Sequence, residues 1–232
     1  MKDCCVVIPA YKEDPHTIVN LYCSLEMMGA EVIVVNDGNT IELPSEIKQV
    51  SYSPNKGYGY ALKQGIVATD KPYVITLDGD GQHLPSDAYK LYTVFKMITD
   101  CDMLVGTRWN ISEKWYRQIG RKCLNFLATC VAGHYLIDLN SGMRIFKRDL
   151  AVKYMPILCD VFSFTTSLTM SMVSDGYKIA WFPIDVKPRA HGKSHVRVIK
   201  DGLITLAYIL YIGFGIRTRG IRAWLRRLRG SR

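Results

Sequence analysis

Val74-Ile75-Thr76-Leu77-Asp78-Gly79-Asp80-Gly81-Gln82-His83 is the stretch on which the reading of this chain turns. Its apolar, β-branched beginning has the character of a strand buried on both faces, and it ends at two carboxylates set among glycines. Side chains two apart in an extended backbone share a face, so Asp78 and Asp80 are expected to converge on one point. Two carboxylates at the carboxyl end of a buried strand suit a hard divalent cation, Mg²⁺ or Mn²⁺, that also holds phosphate oxygens. An Asp-x-Asp alone carries little weight, because surface turns produce it by chance. After a buried strand, and continued by Gly81, Gln82 and His83, it carries much more.

Outward from this stretch, strand-like and helical patterns alternate. Val6 to Pro9, Glu31 to Asn36, Val50 to Ser53, Tyr73 to Asp78, Met103 to Gly106 and Lys178 to Pro183 read as strands. Pro15 to Met28, Gly59 to Thr69, Ser86 to Met97, Trp115 to Val131 and Phe164 to Asp175 read as helices. Such alternation predicts an α/β fold with a mostly parallel central sheet and helices on both faces. Ligands of such sheets lie outside the carboxyl ends of the strands. Pro9-Ala10-Tyr11, Asn36-Asp37-Gly38 and Asp78-Gly79-Asp80 all fall there, and their shared location outweighs any one of them.

The chain has 232 residues, 48% apolar and 22% charged, enough for one domain with a sizeable core. We expect a domain over residues 1–200 followed by a helical segment over 201–232. Met1 to Cys5 runs straight into the first strand without a secretory pattern. Seven cysteines without a Cys-x-x-Cys spacing are expected to be reduced core thiols. The net charge of +9 is concentrated: Arg217, Arg219, Arg222, Arg226, Arg227, Arg229 and Arg232 follow one another without an acid, leaving +2 for everything before them. A basic tail of this kind seeks an anionic surface, lipid or nucleic acid. Leu203 to Ile216 carries no charge but is shorter than the roughly 20 residues of a spanning helix. Its reading is divided between core and interface. Beyond it, Ile221, Trp224, Leu225 and Leu228 repeat at helical spacing with arginines between them, the pattern of a helix lying in a membrane surface. A cytoplasmic protein, peripheral at the inner membrane face, is therefore expected.

The motifs together resemble the family 2 nucleotide-sugar glycosyltransferases of GT-A fold, on the branch that includes dolichol-phosphate mannose synthase. The resemblance runs from about Val6 to Leu203. Val7 to Glu13 is similar to the family's opening strand and turn, although the family usually has Asn where this chain has Lys12. The resemblance implies Pro9, Tyr11, Glu13 and Asp37 as contacts of a UDP- or GDP-linked donor, with Lys56 and Gly57 as supporting contacts. It places Asp80, with Asp78, on the metal and Gln82 near the reacting phosphates; a turn-stabilising role is the plainer one for His83. Gly106-Thr107-Arg108, Asp138-Leu139-Asn140-Ser141-Gly142-Met143-Arg144 and Arg189-Ala190-His191-Gly192-Lys193-Ser194 match three further elements. From these, Arg108, Arg189, Lys193, Ser141 and one of Arg117 or Arg121 are expected around an acceptor phosphate, with Asp78, Asp80, Gln82, Arg108 and Arg189 as the catalytic set. Arginine's planar fork suits phosphate.

A hydroxyl acceptor needs a general base. The helix starting near Phe164 reads Phe164-Thr165-Thr166-Ser167-Leu168-Thr169 and offers no carboxylate, although Asp138, Asp160 and Asp175 remain as candidates. A phosphomonoester, with a second pKa near about 6, is already ionised and needs no base. The expected reaction is therefore inverting transfer of a sugar onto a polyprenyl phosphate. Two other readings are a same-fold glycosyltransferase with a nucleic-acid or glycan hydroxyl acceptor, and a non-catalytic sugar-nucleotide-binding scaffold.

Overall fold

Every residue from Cys4 to Ala10 (β1) is buried, as a strand covered on both faces must be. Its side chains alternate between two cores: Cys4, Val6 and Ile8 point to one, Cys5 and Val7 to the other. The computed structural model describes residues 1–108, 115–187 and 198–229, with side chains in the last helix described from 199 to 215.

Six further strands, Glu31–Asp37 (β2), Gln49–Tyr52 (β3), Tyr73–Thr76 (β4), Met103–Arg108 (β5), Arg144–Lys147 (β6) and Ile179–Ile184 (β7), complete a seven-stranded sheet of order β3-β2-β1-β4-β6-β5-β7. The neighbours β1 to β4 are parallel, as are β5 and β7; β6 alone runs antiparallel, to both β4 and β5. The predicted mostly parallel sheet is therefore present. The strand that the sequence reading passed over is β6. It has only four residues and begins at an arginine, so no periodicity marks it.

Pro15–Met27 (α1) and Pro85–Met97 (α3) cover one face of the sheet, contributing Ile18, Leu21, Leu25, Leu91 and Phe95. Asp14 caps α1, accepting from the Thr17 amide at 2.9 Å and its hydroxyl at 2.8 Å, with Pro15 in the first turn. Tyr58–Val67 (α2), Arg148–Tyr154 (α5) and Phe164–Ser174 (α6) cover the other face.

A third cluster joins α6 to Trp115–Ala132 (α4) and Val198–Arg229 (α7) through Ala128, Met170, Val173, Ile209 and Ile212. The two helices approach closely enough that a Cβ on Gly213 would lie 2.0 Å from Val131 Cγ1. For Leu203 to Ile216, whose sequence reading is divided between core and interface, the core part is present along one face. Thr205, Ile209 and Ile212 are buried, while Leu203, Leu210, Tyr211 and Phe214 are exposed.

Helix α4 packs an apolar face of Leu124, Leu127, Ala128 and Val131 on the third cluster in the usual sense, and carries further apolar side chains on its outer face. Ala128 is buried in the third cluster, while Trp115, Ile119 and Phe126 face outward at helical spacing, Trp115 and Phe126 being 73% and 71% exposed. Cys123 and Cys130 are exposed on the same helix, and Cys23 is exposed on α1. The expectation of core thiols is thus met by Cys4, Cys5, Cys101 and Cys159, and corrected for these three. All seven are free.

Candidate active site

At the carboxyl ends of β1, β2 and β4 lies a cavity of about 320 Å³. Pro9, Tyr11, Glu13, Asp37, Gly57, Asp78 and Asp80, all expected site residues, line it. The convergence of Asp78 and Asp80 has a different cause from the one expected. The strand ends at Thr76, and Gly79 and Asp80 form a turn, so strand alternation does not aim the two carboxylates. Gly81, at φ 73°, supplies the left-handed residue that lets the chain leave this turn.

Asp78 is held from two sides. Tyr58 donates its hydroxyl to Oδ1 at 2.8 Å, and His83 Nε2 lies 3.5 Å from Oδ2. Burial alone would raise the Asp78 carboxyl, but the His83 hydrogen bond and charge, the Tyr58 hydroxyl and the Arg108 charge hold it below the ordinary carboxylate range. Burial and the neighbouring Asp78 push the Tyr58 phenol well above its usual value, so it stays a donor. A Cβ on Gly142 would come within 2.2 Å of Asp78 Oδ2, so only glycine lets the loop before β6 lie against this carboxylate. Asp80 is buried and accepts from the Gln82 amide at 3.0 Å.

Gln82 and His83 have structural duties. The Gln82 side-chain amide donates to Lys187 O at 3.2 Å, Lys187 N donates to Gln82 O at 2.9 Å, and His83 bridges to Val186. They fasten the exit of β7, the point from which the segment bearing Arg189 and Lys193 departs. Arg189 and Lys193 themselves lie outside the described residues. The turn-stabilising part foreseen for His83 is present, with the addition that its ring is buried against Asp78.

Asp37 lines the cavity, but its carboxylate is taken up by the chain. It accepts from Asn55 Nδ2 at 2.7 Å, Lys56 N at 2.8 Å and Gly57 N at 2.9 Å. The backbone amides of Lys56 and Gly57 are therefore engaged by Asp37, while Gly57 still lines the cavity. Lys56 Nζ turns away to Tyr60, whose ring centroid is 4.6 Å distant. Asn36, in place of the family's first acid, is buried and ties Thr40 N and Ile41 O into a turn. Lys12 adopts φ 56°, the left-handed conformation in which Asn is favoured, which accounts for Asn in the related motif.

Arg108 and Arg121, expected around an acceptor phosphate, lie in a second cluster outside the cavity lining. Arg108 grips Asp138 with both arms of its fork, Nε to Oδ2 at 2.9 Å and Nη2 to Oδ1 at 2.8 Å. Arg121 Nη1 is 3.9 Å from the same carboxylate. Burial would raise Asp138, but the Arg108 hydrogen bonds and the charges of Arg108 and Arg121 hold it below 3.8. Arg117, one turn before Arg121, has no ion-pair partner among the described residues, and its buried Nε has no hydrogen-bond partner. Ser141 does not belong to this cluster or to the cavity lining. It is fully buried, its hydroxyl meets Met143 O at 3.5 Å, and its carbonyl receives Arg144, so its expected phosphate contact is corrected.

Several lining residues have no site role in the sequence reading: Tyr58 and Asn140, although they fall within recognised motifs, and Phe162, Thr165 and Asp201. Asp201 bears on the question of a base. The three carboxylates weighed for that part are elsewhere: Asp138 on Arg108, Asp160 on Lys63 at 2.6 Å, and Asp175 on Lys153 at 2.9 Å. It is α7, not α6, that brings a carboxylate to the cavity.

Residues 5–155 match the sequence profile of Glycosyl transferase family 2. The chain belongs to this family. It is 24% identical over 209 residues to "Glycosyltransferase AglJ" of Haloferax volcanii, covering 85% of this chain and 68% of that one. It is also 25% identical over 183 residues to "Undecaprenyl-phosphate 4-deoxy-4-formamido-L-arabinose transferase" of Enterobacter sp. (strain 638), covering 68% of this chain and 55% of that protein. Its fold matches glucosyl-3-phosphoglycerate synthase from Mycobacterium tuberculosis, solved with Mn²⁺, uridine-diphosphate-glucose and phosphoglyceric acid. The TM-score is 0.71 at 18% identity, covering 90% of this chain and 79% of the other. The family 2 chain thus has the GT-A fold foreseen from its motifs.

The family 2 site yields two expectations. Asp80→Asn keeps an acceptor for the Gln82 amide but removes the charge, so turnover of a nucleotide-sugar should fall to background while the melting temperature changes little. Thermal melting and donor turnover measured together check this. Asp138→Ala should be destabilising by about 1.5–3 kcal/mol, because it removes the buried carboxylate that Arg108 grips with both arms of its fork. Asp138 is depressed in the folded chain, so its contribution is present above its unfolded value of 3.8 and is lost as pH falls through the folded one. Acid titrations of stability should accordingly show a shallower loss below pH 4 for Asp138→Asn than for the native chain.

Proposed function

We propose that this glycosyltransferase moves a sugar from a UDP- or GDP-linked donor, with inversion, to a polyprenyl phosphate at an anionic membrane surface. The observation that carries the proposal is the first half of α4, which turns arginines inward and apolar side chains outward. Arg121 lies beside the Arg108–Asp138 pair, and Trp115, Ile119 and, further along the helix, Phe126 face outward. An acceptor with an anionic head and an apolar chain fits such a helix, the head among Arg108, Arg117 and Arg121 and the chain beyond the aromatic face. Of the two arginines left open by the sequence, Arg117 is the better ligand, because Arg121 shares Asp138 while Arg117 has no acid within reach among the described residues. Arg189 and Lys193 are assigned to the same head group by motif alone.

Asp80, with Asp78, has the chemistry to hold Mg²⁺ or Mn²⁺. Such ions are commonly bound by one or two carboxylates and completed by substrate phosphates and water, and no larger cluster of ligating side chains occurs among the described residues. A cation there would neutralise the donor's diphosphate as it leaves. The acceptor phosphate oxygen forms a bond to the anomeric carbon as the bond from that carbon to the diphosphate breaks. Pro9, Tyr11 and Glu13 would wall the nucleotide, and the loop held by Asp37 would close its edge. The names of the Enterobacter relative, which carries an undecaprenyl phosphate, and of the M. tuberculosis enzyme, solved with phosphoglyceric acid, agree in an anionic acceptor.

Membrane contact is supported by α7, which exposes Leu203, Leu210, Tyr211 and Phe214 and runs on into the seven arginines. No helix among the described residues is long and apolar enough to cross a membrane. Contact at the interface therefore suits these faces better than insertion. A second copy of the chain is a poorer occupant, since two such tails would repel each other. One observation favours a second reading: Asp201 would serve as base if the acceptor were a hydroxyl.

Two outcomes are expected. Arg117→Ala should lower kcat/KM for a prenyl phosphate by about tenfold to a hundredfold, with Arg117→Lys recovering only part, while the donor Kd is unchanged. Steady-state kinetics with a prenyl phosphate and with the matching prenyl alcohol check this; equal turnover of the alcohol would overturn the phosphate acceptor. In sedimentation with phosphatidylglycerol vesicles, removal of residues 216–232 should abolish binding, at about 1 kcal/mol for each arginine lost. Persistent binding at full strength would move the contact to α4 and the first half of α7.

A further inference from the structure

The order of the strands divides the cavity. Pro9, Tyr11 and Asp37 follow β1 and β2 on one side of β4; Asn140 precedes β6 on the other, where Thr165 of α6 meets Arg144 of β6, and Phe162 lines the cavity just before α6. Asp78 and Asp80 leave β4 between the two. If the nucleotide occupies the first side and its diphosphate the middle, the transferred group falls on the second.

The side chains on that second side are of one kind. Asn140 Oδ1 accepts the Thr166 hydroxyl at 2.8 Å, which leaves its NH₂ as the half that can serve a ligand. Thr165 is only 2% exposed and its hydroxyl has no partner, although the residue lines the cavity. A buried hydroxyl without a partner is uncommon in a folded chain and calls for a cause. In a helix, threonine has two χ1 wells, so its hydroxyl can turn by about 120° about the Cα–Cβ bond. Its backbone is not free to move, because Thr165 O accepts from both Arg144 Nη1 at 3.0 Å and Thr169 Oγ1 at 2.9 Å. Phe162 supplies an apolar wall.

The charge of the cavity is one-sided. Glu13, Asp37, Asp78, Asp80 and Asp201 line it, and among the described lining residues there is no Lys, Arg or His. A divalent cation would be matched by the donor's diphosphate, and the described lining residues offer no further cation for a second anion on the transferred group.

We propose that Asn140, Phe162 and Thr165 form the sugar subsite, and that it takes a neutral pyranose with free hydroxyls in preference to a uronic acid. The Thr165 hydroxyl pairs with a ring hydroxyl of that sugar. The inference rests on the nucleotide-sugar reading above and adds the class of sugar.

Calorimetric titration in Mn²⁺ tests it, with UDP, GDP, UDP-glucose, GDP-mannose and UDP-glucuronate on the native chain, Thr165→Val and Thr165→Ser. UDP-glucose or GDP-mannose should bind at least about tenfold more tightly than the uronate. Thr165→Val should weaken the preferred sugar nucleotide about tenfold and leave the free nucleoside diphosphate unchanged, while Thr165→Ser restores most of the loss. Unchanged binding of the free nucleotide shows that the variant's cavity is intact. Equal affinity for the uronate would overturn the sugar class, and a Thr165→Val variant with native sugar-nucleotide affinity would overturn the subsite. Failure of UDP and GDP alike to bind the native chain would instead remove the donor reading on which both depend.

Discussion

Arg144 holds the site together. It is wholly buried, and its guanidinium is satisfied by Leu139 O, Ser141 O, Thr165 O and Thr169 Oγ1. None of these partners is a carboxylate. Burial lowers its pKa to about 10, so it remains charged at neutral pH. A buried charge is tolerated only when each of its donors is met. The need to meet them sets the loop before β6 and the first turn of α6 in one arrangement. That loop carries Gly142 against Asp78 and Asn140 into the cavity, and α6 carries Thr165. One arginine at the start of a four-residue strand therefore decides where half of the cavity wall stands.

The same residues are arranged as two regions of opposite sign. The cavity is walled by acids, and outside its lining Arg108 and Arg121 share the carboxylate of Asp138, with Arg117 one helical turn before Arg121. Arg108 lies at the seam, since its charge helps to keep Asp78 ionised. In the proposed reaction the acidic region takes the donor through a cation and the basic region takes an anionic acceptor directly. Two anions that would repel in water are then brought together by different counter-charges. Helix α4 extends the division outward, because its first half turns Arg117 and Arg121 toward the domain and Trp115 and Ile119 to solvent.

The sequence by itself determined the sheet and the position of the site along it. Alternating apolar runs gave the strands, and β1 shows the reason: a strand buried on both faces must be apolar throughout, which leaves an unmistakable pattern. The Asp78–Asp80 turn at the end of such a strand was equally legible, since glycines and acids cannot continue a buried strand. Tertiary structure alone decided which polar atoms those residues would have left to offer. Asp37 is spent on the Asn55–Gly57 loop, Gln82 on Lys187, and Ser141 on its own turn. Thr165 and Asp201 reach the cavity from helices whose residues give no local sign of it. Secondary structure follows from periodicity in neighbouring residues, whereas the partner of a carboxylate or an amide depends on which distant segment packs beside it. Only the fold brings Tyr58, His83 and Gly142 around Asp78.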